Sequence, residues 1–143
     1  MHEAELLPSL EQATRQSSLQ YQSKVGLILY AAITTRPDIA FAASKLAQFN
    51  ANLSQQHHKA ADRVLHYLYS TREKAIGYGQ LRTKTACQAF LCVSDASFAD
   101  NSTDRKSSQG YVMTLFRGPI AWRANKQDTV TTLSTKAELL ALS

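Results

Sequence analysis

The chain has 143 residues, of which 44% are hydrophobic and 19% are charged, and its formal net charge is +5. This composition is ordinary for a folded globular protein and excludes a largely disordered one. No apolar run reaches the roughly 20 residues that are needed to cross a bilayer. The first 15 residues hold three Glu and no apolar core, so the sequence predicts no secretory signal and a cytoplasmic or nuclear location. The positive charge favours an anionic partner such as nucleic acid.

The first half of the chain has a helical pattern from Tyr21 to about Thr71. A strongly apolar first helix runs through residues 25–32. Pro37 and Asp38 suit the first turn of a second helix, because Pro tolerates that position and a carboxylate is favoured at the positive end of the helix dipole. Ser54 is a good N-cap for a third helix, whose apolar stripe includes Val64. Three short helices therefore predict a small helical unit.

The second half changes to the period of β-strands. Strands are predicted at residues 76–81, 88–94, 110–116 and 120–123, with Gly118-Pro119 as the turn between the last two. The strand at 88–94 is apolar on both faces, which is typical of a central strand that is covered from both sides. Residues 129–133 are predicted to be extended, and residues 135–142 begin a further helix.

The two cysteines, Cys87 and Cys92, lie five residues apart. On an extended strand this odd spacing puts their side chains on opposite faces, which excludes a mutual disulfide. The four histidines do not supply the spacing of a zinc site. Both cysteines are therefore predicted to be small buried thiols, and Trp122, Tyr67, Tyr69 and Tyr111 are interpreted as core residues.

Two carboxylates are candidates for chemistry. Asp95 follows an apolar strand, where a buried carboxylate needs a cation or several donors, although an Asp that caps backbone amides in a turn is an equal interpretation. Glu138 lies three residues after Thr135, so it either caps its own helix or meets Asp95 at a divalent cation. Arg105 and Lys106 lie in a polar loop and are candidates for phosphate contact. His57 and His58 are interpreted as packing or solvated residues at the start of a helix.

Three segments follow one another along the chain, RPDIAF at 36–41, SDASFAD at 94–100 and LSTKAE at 133–138. The first resembles the end of the reverse transcriptase in the Pol polyproteins of Ty1/copia-type retrotransposons, and the other two resemble the start of the ribonuclease H domain of that family. The full set of similar positions is 21–30, 35–41, 57, 60–68, 94–100, 104–112, 120–127 and 133–138.

The resemblance implies a fold and a site. It implies an α+β chain with a polar segment at 1–20, a helical reverse-transcriptase tail at 21–74, and an incomplete ribonuclease H-like mixed sheet with its first helix at 75–143. Asp95 and Glu138 would be the first two metal-binding carboxylates of an enzyme that hydrolyses RNA in RNA–DNA hybrids with Mg²⁺ or Mn²⁺. The third and fourth carboxylates of that family lie beyond Ser143. We therefore expect weak metal binding and no hydrolysis by this chain alone.

Two non-catalytic functions compete with a nuclease. The chain is either a remnant that binds nucleic acid or a protein partner, or a structural fragment that associates with itself. Self-association is expected because the strand at 88–94 is apolar on both faces and the last helix begins an apolar stripe. A homodimer or larger assembly, in which a second copy covers the bare face or edge of the sheet, is the prediction.

Overall fold

The computed structural model describes residues 14–51, 53–78, 90–97 and 106–127. Within these ranges it contains three α-helices, one short 3₁₀ helix and a three-stranded antiparallel sheet, so the predicted mixture of α and β structure is confirmed. The chain divides into two compact units, Met1–Lys74 and Ala75–Ser143. The described helices lie in the first unit and the described strands in the second. No helix in the described ranges is long and apolar enough to cross a membrane.

The first helix, α1, spans Arg15–Thr34 and begins earlier than the apolar pattern suggests. Its start is set by Thr14, whose Oγ1 accepts a hydrogen bond from the amide of Ser17. It ends before Pro37, since the residue preceding a proline avoids the helical region. Side chains at every third or fourth position are buried along its inner face, and these are Tyr21, Val25, Ile28 and Ala32.

Two further helices complete the helical unit, and all three predicted helices are confirmed. A 3₁₀ turn at Pro37–Ile39 leads into α2 at Ala40–Ala47, and α3 follows at Gln55–Ser70. Leu46 near the end of α2 and Ala61 on α3 pack with the inner face of α1 to form the core. The buried Tyr21 hydroxyl donates a hydrogen bond of 2.8 Å to the carbonyl oxygen of Leu46, which ties α1 to the end of α2.

The sheet consists of β1 at Phe90–Ser97, β2 at Ser108–Leu115 and β3 at Gly118–Lys126, in that spatial order. The prediction that residues 88–94 form a central strand covered on both faces is wrong for the part described. Among the three described strands β2 is in the middle, and the side chains of Leu91 and Val93 on β1 are exposed. An apolar strand is not buried unless another element packs on it, and composition alone does not supply that element.

Other details of the second unit also differ from the sequence interpretation. Cys92 is exposed, not buried, because it lies on the same open strand. Residues 76–78 are irregular where a strand was predicted. The rest of that predicted strand, Cys87, the extended segment at 129–133 and the helix at 135–142 lie outside the described residues.

The turn between β2 and β3 lies at Phe116 and Arg117, not at Gly118-Pro119 as predicted. Both residues have positive φ, 48° and 68°, which is the backbone conformation of a two-residue type I′ hairpin turn. Gly118 and Pro119 instead begin β3. A Cβ atom at position 118 would overlap the ring of Tyr78, so this glycine permits close packing and does not form the turn.

Candidate functional site

Asp95 lies on β1, two residues before the strand ends at Ser97. Its partner across the ladder is Gly110 on β2, and the partner of Gly110 on β3 is Ala124. Side chains directly opposite each other in an antiparallel sheet lie on the same face, so on the described strands the row beside Asp95 holds a hydrogen and a methyl group. A Cβ atom at Gly110 would lie 3.2 Å from the carbonyl oxygen of Arg123, so the middle of this row is closely packed.

The environment of Asp95 is not the buried strand end that its apolar neighbours predicted. The residue is exposed, and its Oδ1 accepts a hydrogen bond of 2.9 Å from the amide of Ala96. This contact agrees with the alternative interpretation of Asp95 as an acceptor for backbone amides, although it occurs inside a strand. An exposed carboxylate oxygen still suits a hard cation such as Mg²⁺.

The other predicted site residues are only partly within the described ranges. Glu138 and Arg105 lie outside them, so the pairing of Asp95 with Glu138 stays a prediction. Lys106 is half-buried and precedes Ser107, which is fully buried. In the parts of the chain that the structure describes, no group of three or more His, Cys, Asp or Glu side chains could hold a metal ion. The described half of the candidate site is thus a single carboxylate.

A basic stripe on α3 was not identified from the sequence as a site. We define it as Lys59, Arg63 and His66, which are spaced by four and three residues and are all exposed. Residues at this spacing lie on one face of a helix. The nearest acidic side chain on the helix, Asp62, forms an ion pair with Lys24 of α1. The basic stripe can therefore contact phosphates.

Aromatic residues near the end of α3 are more exposed than predicted. Tyr69 is largely exposed, Tyr67 is partly exposed, and neither is the core residue that the sequence suggested. The guanidinium of Arg72 lies 4.9 Å from the centre of the Tyr69 ring. The other two aromatic residues interpreted as core, Tyr111 and Trp122, are intermediate in exposure.

An ionic cluster joins the start of α2 to the end of α3. Arg36 donates two hydrogen bonds to the Asp38 carboxylate, at 3.0 and 2.8 Å, and two more to Thr71, at 3.3 Å to its carbonyl oxygen and 2.7 Å to its hydroxyl. The Tyr67 hydroxyl donates to Oδ2 of Asp38 at 2.8 Å. We call Arg36, Asp38, Tyr67 and Thr71 the Arg36 cluster.

The hydrogen bonds from Arg36 are the main reason why the pKa of Asp38 falls from 3.8 to about 2. The same hydrogen bonds raise the pKa of Arg36. A shifted pKa can mark a functional site, but structural ion pairs shift pKa values too. Here the guanidinium is almost fully buried and is directed at the protein itself. We therefore interpret the Arg36 cluster as a structural link between helices.

The paired histidines at the start of α3 are packing residues, as the sequence suggested. His57 is fully buried, and its Nδ1 accepts a hydrogen bond of 2.8 Å from the amide of Ser54, which completes a capping box. Burial is the main cause that lowers the pKa of His57. His58 contacts the hydroxyl of Ser17 through Nε2 at 2.9 Å. Both imidazoles are thus engaged in holding α3 in place.

Comparison with known proteins identifies relatives along most of the chain. A protein named secreted RxLR effector protein 161, from Plasmopara viticola, is 39% identical over 126 residues, which are 88% of this chain and 86% of that protein. The Pol polyprotein of transposon TNT 1-94 from Nicotiana tabacum is 32% identical over 133 residues, and that of transposon RE1 from Arabidopsis thaliana is 35% identical over 119 residues. These matches cover 93% and 83% of this chain but only 10% and 8% of the two polyproteins. No family model and no solved structure matches the chain.

Proposed function

The chain belongs to the family of copia-type retrotransposon Pol polyproteins, and we propose that it carries the end of the reverse transcriptase and the start of the ribonuclease H domain. The observation that supports this most directly is the position of Asp95. It lies on the first of three antiparallel strands that follow one another along the chain, and small residues face it across the sheet. The helical unit before the sheet then corresponds to the reverse-transcriptase tail.

In this proposal Asp95 and Glu138 are two ligands of a metal site. A bound Mg²⁺ or Mn²⁺ would supply positive charge to stabilise the phosphate undergoing hydrolysis. Asp95 fits such an ion because it is an exposed oxygen ligand. The 143 residues supply two of the four carboxylates that the resemblance implies. We therefore expect weak metal binding and no cleavage by the isolated chain.

Cleavage of a fluorescent RNA–DNA hybrid tests the catalytic part of the proposal. We expect the purified chain with Mg²⁺ to cleave no faster than its Asp95→Asn variant. Asp62→Asn is the matched control, because it removes an acidic group from the helical unit and leaves the sheet intact. Cleavage that persists in Asp62→Asn and disappears in both Asp95→Asn and Glu138→Gln would contradict the expected inactivity and establish a working nuclease.

Calorimetric titration with Mn²⁺ tests the metal site separately. We expect weak binding heat in the native chain and in Asp62→Asn, and a loss of that heat in Asp95→Asn and in Glu138→Gln. Equal heats in the native chain and in both site variants would exclude a shared half-site. Loss in Asp95→Asn alone would show that Glu138 is not a ligand.

Binding of nucleic acid without catalysis is the second candidate function. The basic stripe of α3 favours it, since its side chains are exposed and the one acidic residue of α3, Asp62, is paired with Lys24. Binding through phosphates would be weak, independent of sequence and sensitive to salt.

Fluorescence anisotropy with a labelled hybrid, measured over a range of salt concentrations, tests this second function. Arg63→Gln should weaken binding and lower the salt dependence by about one released counterion. Arg123→Gln is the matched control, because it removes one exposed positive charge from β3 and leaves the Lys24–Asp62 pair of the helical unit intact. Lys106→Gln tests the predicted phosphate contact of the polar loop. Equal effects of Arg63→Gln and Arg123→Gln would show that binding depends on net charge and not on the basic stripe.

A further inference from the structure

The helix α1 has two apolar stripes on opposite faces. The inner one is the buried face that packs in the core of the helical unit. The second, which we call the outer stripe, repeats with the same helical spacing about half a turn away. It consists of Leu19, Ser23, Gly26, Leu27, Tyr30 and Ile33, all of which are exposed.

The outer stripe is unusual for a solvent-facing helix surface. The exposed fractions of its four large side chains range from 59% for Leu19 to 73% for Ile33. From residue 19 to residue 33 the sequence contains one charged side chain, Lys24, and this is paired with Asp62. A continuous apolar surface of this kind marks an interaction site. Because it carries no charge of its own, two such surfaces can meet without repulsion.

We propose that the outer stripe binds the same stripe of a second copy of this chain, with the two α1 helices antiparallel and the symmetry axis at Gly26. Leu19 and Ile33 are each seven residues from Gly26, so an antiparallel pair places Leu19 of one copy against Ile33 of the other. Symmetric pairing through one shared surface is the commonest way in which soluble chains form dimers.

The shape of the outer stripe favours the antiparallel direction. Ser23 and Tyr30 lie three and four residues from Gly26, so the large ring of one copy faces the small side chain of the other. In a parallel pair the two Tyr30 rings would face each other, and the two Ser23 side chains would leave a gap. A Cβ atom at Gly26 would have no neighbour within 4 Å, so the helix surface is open there to a close approach. Antiparallel helix dipoles also attract each other.

The area of the outer stripe sets the expected dissociation constant of the dimer. It offers on the order of 500 Å² per copy, or about 1,000 Å² for the pair, which is the low end for a specific interface. After the entropic cost of association, we expect a dissociation constant of roughly 10 to 100 µM. This interface differs from the sheet-mediated dimer that the apolar strands suggest, and the two possibilities predict different responses to substitution.

Light scattering and sedimentation of the full chain from low to high micromolar concentration test the proposal. We expect a mass that rises from 15.8 kDa to twice that value. Tyr30→Lys should raise the dissociation constant at least about 30-fold, because an aromatic anchor is replaced by a charge. Gln56→Lys places the same charge on exposed α3, and Val112→Lys places it on the exposed sheet. Both controls should leave the dimer intact.

Three results would overturn the proposal. A mass near 15.8 kDa at every concentration would show that the outer stripe does not pair, whether another segment or another protein covers it. A dimer that survives Tyr30→Lys but is lost in Val112→Lys would place the interface on the sheet. Equal weakening by all three substitutions would indicate a nonspecific effect of charge.

Cysteine cross-linking tests the direction of the helices and does not depend on how well Tyr30→Lys folds. In a background with Cys87→Ser and Cys92→Ser, Gly26→Cys should form a disulfide-linked dimer. Leu19→Cys and Ile33→Cys should not cross-link alone but should do so when the two variants are mixed. Cross-linking of Leu19→Cys with itself would show a parallel pair, and failure of both Gly26→Cys and the mixture would refute the interface.

Discussion

Replacing Asp38 by Asn removes the charge from the Arg36 cluster with little change in shape. The shift in the pKa of Asp38 from 3.8 to about 2 corresponds to roughly 2 kcal/mol of preference for the charged form. Since 35% of the Asp38 side chain is exposed, solvent screening reduces this contribution to about 1 kcal/mol. The loss is the same interaction when it is considered from Arg36, whose side chain is only 9% exposed and keeps a buried charge without its anion.

We therefore expect Asp38→Asn to lower the free energy of unfolding of the helical unit by about 1 to 2 kcal/mol at pH 7. Urea unfolding followed by circular dichroism at the helix band measures this change. The matched control is Asp62→Asn. Its ion pair with Lys24 is exposed by 46% on the Asp62 side and 33% on the Lys24 side, so we expect a loss below about 0.5 kcal/mol.

The dependence on pH gives a second check on the Arg36 cluster. The pKa of Asp38 is lower in the folded protein than in the unfolded chain, so its stabilisation is complete above the unfolded value. It is lost as the pH falls from about 4 to about 2. The difference between the native chain and Asp38→Asn should shrink over that interval. A loss equal to that of Asp62→Asn at pH 7, or a difference that does not change in acid, would refute the structural role of the cluster.

Three further predictions concern stability. The pKa of buried His57 is lowered, so the folded state disfavours its protonation, and stability should fall as the pH drops below about 6.5. His57→Gln retains an acceptor for the capping box and should flatten this part of the profile of melting temperature against pH. An unchanged profile would contradict the assignment. Tyr21→Phe should cost about 1 to 2 kcal/mol in urea unfolding, because the carbonyl oxygen of Leu46 loses a buried donor, and no loss would show that this bond is not needed. The double substitution Phe116→Asn and Arg117→Gly should stabilise the sheet by about 1 to 2 kcal/mol, since Asn and Gly favour the positive φ of these two positions. A lower melting temperature would indicate a different turn.

The helical unit could be predicted well from the sequence because the apolar residues that repeat at helical spacing are also the buried ones. Pro37 starts the 3₁₀ turn that leads into α2, and Ser54 precedes the first residue of α3, so each local signal agrees with the packing that follows. The exception is α1, whose outer stripe is as apolar as its inner face. The spacing of apolar residues identified the helix but did not show which of its two faces is buried, because that depends on the elements that pack against the helix.

The candidate site was harder to predict. Strand period placed Asp95 correctly on β1, but the inference that its strand is buried on both faces failed because apolar composition does not specify what covers a strand. The turn at Phe116 was missed because neither it nor its neighbour is a residue that favours positive φ. The basic stripe of α3 could have been predicted, since the spacing of Lys59 and Arg63 is visible in the sequence. Its exposure became clear only once the packing of α3 was known.

The order of the strands has a consequence for how fast this part of the chain folds. Each described strand pairs with the strand next to it in sequence, and a two-residue turn joins β2 to β3. Contacts between sequence neighbours require little loop closure, so low contact order predicts rapid folding. We expect the pairing of Ser108–Leu115 with Gly118–Lys126 to form first, on the microsecond scale of isolated hairpins. A stretch with such local connectivity needs no distant part of the chain to bring its described strands together.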